Sequence, residues 1–123
     1  MERDTQQRRA IRKALHLADR PLSPHELLEL AQGDSPGLGT ATVYRTLKGL
    51  VEQGAITPVD LPGEPPRYEI AGKRHHHHFH CRGCDRLFEL EGCPEDLQRL
   101  TPRGFALEAH EVVLYGRCAE CTV

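Results

Sequence analysis

The spacing of apolar residues changes from helical to strand-like after about residue 54. Residues 6–18 predict a helix, because their apolar residues recur on one face: Ile11, Ala14, Leu15 and Ala18. Ser23-Pro24-His25-Glu26 predicts the start of a second helix, with Ser23 as N-cap and Glu26 closing a capping box. A third helix is predicted from Thr40 to Gln53, and Gly54 follows it as a typical terminating residue.

Two short strands are predicted next, at residues 55–61 and 67–70, with a proline-rich hairpin between them. Three helices followed by a two-stranded hairpin is the winged helix-turn-helix pattern, in which the third helix enters the major groove of DNA. A generic small helical domain would show the same pattern. The topology alone does not choose between the two interpretations.

Beyond a short hinge at residues 71–74, the pattern favours strands at 77–81, 86–90, 105–110 and 112–116. A short helix is predicted to start at Pro94. This half has few apolar residues, so we expect it to need both zinc and a partner subunit for stability. The predicted fold class is α/β in the broad sense (α+β): a winged-helix domain at 1–70, the hinge at 71–74, and a small metal-binding domain at 75–123.

Composition narrows the class of protein. The 123 residues contain no apolar run long enough to cross a membrane, and the first ten residues do not resemble a secretory signal, so the cytoplasm is the expected location. Five cysteines in such a chain favour metal-bound thiolates over disulfides. The net charge of −2 does not indicate nucleic acid, but residues 1–13 hold five basic residues against two acidic ones.

Two Cys-x-x-Cys pairs, Cys81/Cys84 and Cys118/Cys121, can supply four thiolates to one tetrahedral zinc. The 33 residues between them exceed the span of a compact zinc ribbon, so the intervening sequence must fold as a sheet that brings the pairs together. A thioredoxin-like redox pair is the alternative. Two pairs without a flanking βαβ pattern disfavour it.

Four consecutive histidines, residues 75–78, precede the first pair. Side chains alternate along a strand, so His75 and His77 would face one side while His76 and His78 face the other. One strand could then serve two metal sites. A tag or a solvated loop is the plainer interpretation, but the position between a hinge and a zinc-binding pair disfavours it. The candidate further ligands are Glu69, Glu89, Asp96 and His110.

These motifs together resemble the ferric uptake regulator (Fur) family of dimeric, metal-responsive repressors. The similarity rests on ATVYRTL in the third helix, on HHHH-x-x-C-x-x-C, and on the terminal H-x(7)-C-x-x-C. It extends over nearly the whole chain, from Thr5-x-Gln7-Arg8 to Cys121. It implies an N-terminal winged-helix domain that binds a near-palindromic operator and a C-terminal dimerisation domain.

The resemblance also implies site residues. The family's structural zinc falls on Cys81, Cys84, Cys118 and Cys121. Its regulatory hinge site falls on Glu69, His76, His78 and Glu89. A third metal site falls on His75, His77, Asp96 and His110. Of the expected DNA-binding residues, Tyr44, Arg45 and Arg8 match family positions, and Thr42 and Lys48 share a helix face with Arg45.

The sequence departs from the family pattern at three positions. Pro21 stands where many members place a hinge-site histidine, with His25 nearby as a possible substitute. Ala71 stands where zinc-sensing members often have cysteine, which favours iron or manganese as the regulatory metal. Cys93 has no family role.

The resulting hypothesis is a metal-dependent repressor that controls metal homeostasis, responds to iron or manganese, and is not an enzyme. A peroxide-sensing repressor and a zinc-uptake repressor of the same family remain alternatives. A zinc-bound protein-interaction module is the competing class, although it would not need the residues that the third helix carries. A metal-dependent hydrolase comes third, because no substrate pocket can be recognised.

Overall fold

The computed structural model describes residues 5–73, 76–94 and 96–122. The chain divides into two compact units, Met1–Lys73 and Arg74–Val123. Both helices and sheets are present, which confirms the α+β class. None of the helices in the described part of the chain has the length and apolar character needed to cross a membrane.

Unit 1 is built on three helices, α1 (Gln6–Ala18), α2 (Pro24–Ala31) and α3 (Thr40–Glu52). Their apolar faces meet in one core that also receives Leu22, Leu38 and Ile56. The fully buried side chains at its centre come from all three helices: Ile11, Leu15, Leu27, Val43, Leu47 and Leu50. The helical spacing in the sequence is therefore the spacing of buried positions.

The helix ends follow the sequence signals. The backbone N–H of Glu26 donates to the Ser23 hydroxyl at 3.1 Å, and the N–H of Ser23 donates to the Glu26 carboxylate at 3.2 Å, which confirms the capping box. At the end of α3, the N–H of Gly54 donates to Val51 and that of Ala55 to Leu50. This is a Schellman ending, with Gly54 at φ 75°.

The hairpin after α3 consists of β1 (Ile56–Val59) and β2 (Arg67–Ile70), paired antiparallel. A backbone bridge attaches it to the α1–α2 connection: the N–H groups of Leu22 and Tyr68 each donate to the other's carbonyl at 2.8 Å. β1 is shorter than the predicted strand, because the chain turns after Leu61, whose carbonyl accepts from the N–H of Glu64. Three helices and this hairpin form a winged helix-turn-helix.

Unit 2 contains a three-stranded sheet of order β4-β3-β5, built from β3 (His77–Cys81), β4 (Leu87–Leu90) and β5 (Val113–Gly116). β4 runs antiparallel to β3, and β5 runs parallel to it. A single helical turn, α4 (Leu97–Leu100), lies in the connection between β4 and β5. It begins three residues later than the predicted helix.

The strand predicted at residues 105–110 is wrong. The chain turns at Pro102, whose carbonyl accepts from the N–H of Phe105, and regular strand structure begins only at Val113. The apolar side chains of Phe105 and Leu107 are exposed, and the exposed fraction of Phe105 is 69%. Alternation in the sequence therefore marked a segment that has no strand partner among the described residues.

We expect Gly54→Ala to lower the free energy of unfolding by about 1–2 kcal/mol, because an L-residue with a Cβ is strained at positive φ. A Cβ at Gly54 would meet no atom within 4 Å, so the effect isolates backbone strain. Gly37→Ala is the matched control, since Gly37 also has open space around it but no positive φ. Urea unfolding of the whole chain measures both variants. Equal midpoints for the two variants would contradict the assigned helix ending.

Candidate metal centres and DNA-binding helix

The four paired cysteines converge at one end of the unit 2 sheet. Cys81 ends β3 and Cys84 lies in the turn that follows it, while Cys118 and Cys121 follow β5. Parallel pairing sets Cys81 opposite Gly116, so both cysteine pairs lie at the same end of the sheet. The four sulfur atoms all lie within 4.8 Å of one another. The intervening sheet thus closes the long separation between the two motifs.

Backbone amides and neighbouring sulfurs make the four thiols unequal. The backbone N–H of Cys84 donates to Cys81 Sγ at 3.4 Å and that of Cys118 at 3.2 Å, and with the Gly83 amide they lower the pKa of Cys81 to about 6. The sulfurs of Cys81 and Cys118 raise the pKa of Cys121 to about 12. Four thiolates this close repel one another, so their joint ionisation requires a cation at the centre.

Gly83 leaves room for this cluster. A Cβ placed there would lie 2.8 Å from Cys121 Sγ and 2.9 Å from Cys121 Cβ. The glycine in Cys-Arg-Gly-Cys therefore permits the second pair to approach the first. Four convergent sulfurs, amide donors and this close approach fit a closed tetrahedral zinc site of the structural kind.

The histidines of β3 alternate between the faces of the sheet. His77 is buried and its ring lies 5.0 Å from that of His110, while the rings of His76 and His78 lie 4.9 Å from each other. His75 lies outside the described residues. The side chains of this strand can therefore serve two separate sites, as alternation requires.

The first of these faces carries a group of two histidines and a cysteine. The sulfur of Cys93 lies 3.0 Å from Nε2 of His77 and 2.8 Å from Nε2 of His110. Asp96 is outside this group; it is exposed at the start of α4, with Oδ1 3.7 Å from Nε of Arg99. Sequence reasoning missed Cys93. It follows β4, whose Leu90 is paired with His77, and this long-range pairing, which the sequence pattern does not show, brings Cys93 close to His77.

The other face carries the unit 2 members of the predicted regulatory site. His78 is paired in register with Glu89 on β4, so their side chains share a face, and His76 lies beside His78. Glu69 belongs to unit 1, where it is buried on β2 opposite Thr57. The possible substitute His25 is exposed on α2 and contacts Glu29 at 3.0 Å, while Pro21 is buried.

Helix α3 carries several polar residues on its exposed side, whereas Thr46 of the same helix is buried. Tyr44 is 56% exposed, and Arg45 and Lys48 are also exposed. Arg45 donates to the Thr42 hydroxyl at 3.2 Å, so these residues form one surface. Arg8 is half-buried in the first turn of α1, where its backbone N–H donates to the Thr5 hydroxyl. Aromatic, hydroxyl and cationic groups on one exposed helix face can contact bases and phosphates.

Replacing Cys121 by serine removes one of the four sulfurs. We expect Cys121→Ser to lose the bound zinc and the cooperative unfolding of unit 2, because the energy of binding a structural metal is folding energy. Thr122→Ser is the matched control, since Thr122 is exposed next to Cys121 and lies outside the candidate metal-binding groups of the described residues. Elemental analysis after dialysis against a chelator and a thermal melt followed by circular dichroism measure both effects. A zinc-free Cys121→Ser chain with an unchanged melt would contradict the assignment.

Comparisons with known proteins agree with this architecture. The sequence profile of the Ferric uptake regulator family matches residues 2–115. The chain is 36% identical over 122 residues to the ferric uptake regulation protein of Campylobacter jejuni, covering 95% of this chain and 78% of the relative. The solved structure of a zinc-bound manganese uptake regulator superposes with a TM-score of 0.80 at 28% identity, covering 95% of this chain and 91% of that one. The Helicobacter pylori ferric uptake regulator, described with three functional metal-binding sites, gives 0.72 at 26% identity, covering 98% and 83%. The winged helix, the four-cysteine group and these matches together show that the chain belongs to the ferric uptake regulator family.

Proposed function

We propose that the protein is a dimeric, metal-dependent transcriptional repressor of metal-homeostasis genes, and that its regulatory metal is iron or manganese. Family membership supports the coarser statement, that it is a metal-responsive regulator. The observation that carries the DNA-binding part is the exposed surface of α3, which joins Thr42, Tyr44, Arg45 and Lys48 on a winged helix-turn-helix.

The proposed DNA contacts follow from the chemistry of these side chains. Arg45, Lys48 and Arg8 carry the positive charge that neutralises phosphates, and phosphate contacts set the register of the protein on the duplex. Tyr44 and Thr42 supply apolar and hydroxyl groups for base edges and thymine methyls. A twofold dimer would place two such helices in successive major grooves, roughly 34 Å apart, on a near-palindromic operator.

The proposed regulatory ligands are carboxylates and imidazoles only. Glu69 in unit 1 and His76, His78 and Glu89 in unit 2 offer oxygen and nitrogen donors, and Ala71 offers none. Ligands of this kind suit iron and manganese, whereas a thiolate would favour zinc. The zinc-uptake repressor is therefore the second candidate, and the test below separates it from the first.

The proposed mechanism is a linkage between metal binding and domain orientation. In this proposal, Glu69 of unit 1 and His76 and His78 of unit 2 would hold one ion, which would restrict the hinge predicted at residues 71–74. The metal favours the DNA-binding arrangement only by its differential affinity for the two arrangements, typically about 1–3 kcal/mol. The zinc held by the four cysteines has no open coordination position and would act by stabilising unit 2.

The first test titrates DNA binding with metal. Protein carrying only its tightly bound zinc selects duplexes from a random pool in the presence of manganese, and the enriched duplex is titrated anaerobically with manganese, ferrous iron and zinc. We expect manganese and ferrous iron to switch on binding at micromolar levels. Activation by zinc alone would replace the proposed metal by zinc. Failure of every metal to enrich a duplex would remove the DNA-binding proposal.

The matching variant of the hinge site is His76→Ala. We expect it to stay dimeric, to keep its tightly bound zinc, and to lose the metal dependence of DNA binding, because one regulatory ligand is removed. Sedimentation, elemental analysis and the same titration measure these properties. His16→Ala is the control, since His16 is an exposed histidine on α1. An unchanged titration for His76→Ala would exclude this residue from regulation.

The DNA-reading surface is tested with Arg45→Ala. We expect metal-loaded Arg45→Ala to bind the selected duplex about tenfold or more weakly and with a shallower salt dependence, because a phosphate contact is lost. Arg103→Ala is the control, because it removes the same charge from an exposed position in unit 2. Equal losses in the two variants would indicate an effect of net charge and contradict a role for the α3 surface.

A further inference from the structure

Cys93 is the cysteine that neither the four-cysteine group nor the family pattern uses. It follows β4 and is exposed, yet its sulfur lies between two imidazoles, 3.0 Å from Nε2 of His77 and 2.8 Å from Nε2 of His110. His77 is buried on β3, and His110 lies just before β5. Three potential metal ligands from three parts of unit 2 therefore meet at one point, with one side open to solvent.

The distances between the sulfur of Cys93 and the two imidazole nitrogens are close to those between ligand atoms around a bound zinc. Zinc–sulfur bonds of about 2.3 Å and zinc–nitrogen bonds of about 2.0 Å place the ligand atoms of one tetrahedral site roughly 3.5 Å apart. The three ligand atoms here already lie within 4.8 Å of one another. A cation would need to lengthen the two sulfur–nitrogen contacts by about 0.5–0.7 Å, which requires only small side-chain rotations.

We propose that Cys93, His77 and His110 form a mixed thiolate–imidazole metal site that takes zinc in preference to iron or manganese. The family resemblance assigns only nitrogen and oxygen ligands to this region, and Cys93 changes the chemistry. A thiolate selects a borderline or soft cation over the harder ferrous and manganous ions. The fourth position is open to water or to another side chain. The inference is independent of DNA binding.

A hydrogen bond to His77 would change when the site binds metal, and this change can be measured. The backbone N–H of Val112 donates to Nδ1 of His77 at 3.1 Å, so in the metal-free chain the ring proton is on Nε2 and points at the sulfur. A metal on Nε2 requires that nitrogen's lone pair, which moves the ring proton to Nδ1 and breaks the bond from Val112. The thiol proton is released to solvent. Loading this site therefore frees an amide at the start of β5.

The test uses the whole chain with zinc retained in its four-cysteine site, titrated anaerobically with cobalt(II). A cobalt–thiolate bond produces an intense charge-transfer absorption in the near ultraviolet, whereas cobalt bound by histidine and carboxylate alone produces none. We expect this band to appear in the wild type and to be absent from Cys93→Ser. Cobalt affinity at the site should fall at least about tenfold in that variant. Zinc should remove the band at far lower free concentration than manganese.

Two further measurements keep the test decisive. A band of equal intensity in Cys93→Ser would overturn the proposal. It would show that the cobalt–thiolate bonds lie in the four-cysteine group. Cobalt binding without any thiolate band would overturn it as well. In the wild type, zinc should accelerate amide hydrogen exchange at Val112 and leave exchange at Leu114, inside β5, unchanged. Unchanged exchange at Val112 would show that His77 is not a ligand.

Discussion

The parallel pairing of β3 with β5 is the interaction on which unit 2 depends. It aligns Cys81 with Gly116 and so delivers the second cysteine pair to the first. At its other end, the pairing begins at Val112, whose carbonyl accepts a hydrogen bond from the N–H of His78. The same ladder therefore sets the four-cysteine group at one end and the histidines at the other. β4 returns the chain antiparallel along β3, so the connection from β4 to β5, which contains α4, begins and ends at the same end of the sheet.

Unit 2 has a much smaller apolar core than unit 1. Few of its described side chains are fully buried apolar groups; Leu87 and Cys81 are the clearest examples. Unit 1, by contrast, buries apolar residues from three helices and a strand in one core. A core that small contributes little stabilisation from the hydrophobic effect, and a zinc bound by the four cysteines would add its binding energy to folding.

The sequence was sufficient for local features with a strong physical signature. The capping box at Ser23, the glycine ending of α3 and the extent of β3 are each determined by a few adjacent residues. The convergence of the cysteine pairs also followed, because four thiolates at that spacing have few other uses.

The sequence did not predict long-range pairing correctly. Residues 105–110 alternate like a strand, but whether a segment pairs depends on contacts with distant residues, which the local pattern does not reveal. Cys93 was missed for the same reason, since its neighbours are 16 and 17 residues away.

The backbone bridge between Leu22 and Tyr68 has a mechanical consequence for unit 1. Tyr68 precedes Glu69, and both of its backbone polar groups are bonded to Leu22, in the connection between α1 and α2. A ligand that pulls on Glu69 therefore cannot displace the wing alone. The two hydrogen bonds between Tyr68 and Leu22 connect β2 to the segment between α1 and α2. A shift of β2 at Glu69 would therefore strain the hydrogen bonds to Leu22, which tie the wing to the first two helices of unit 1.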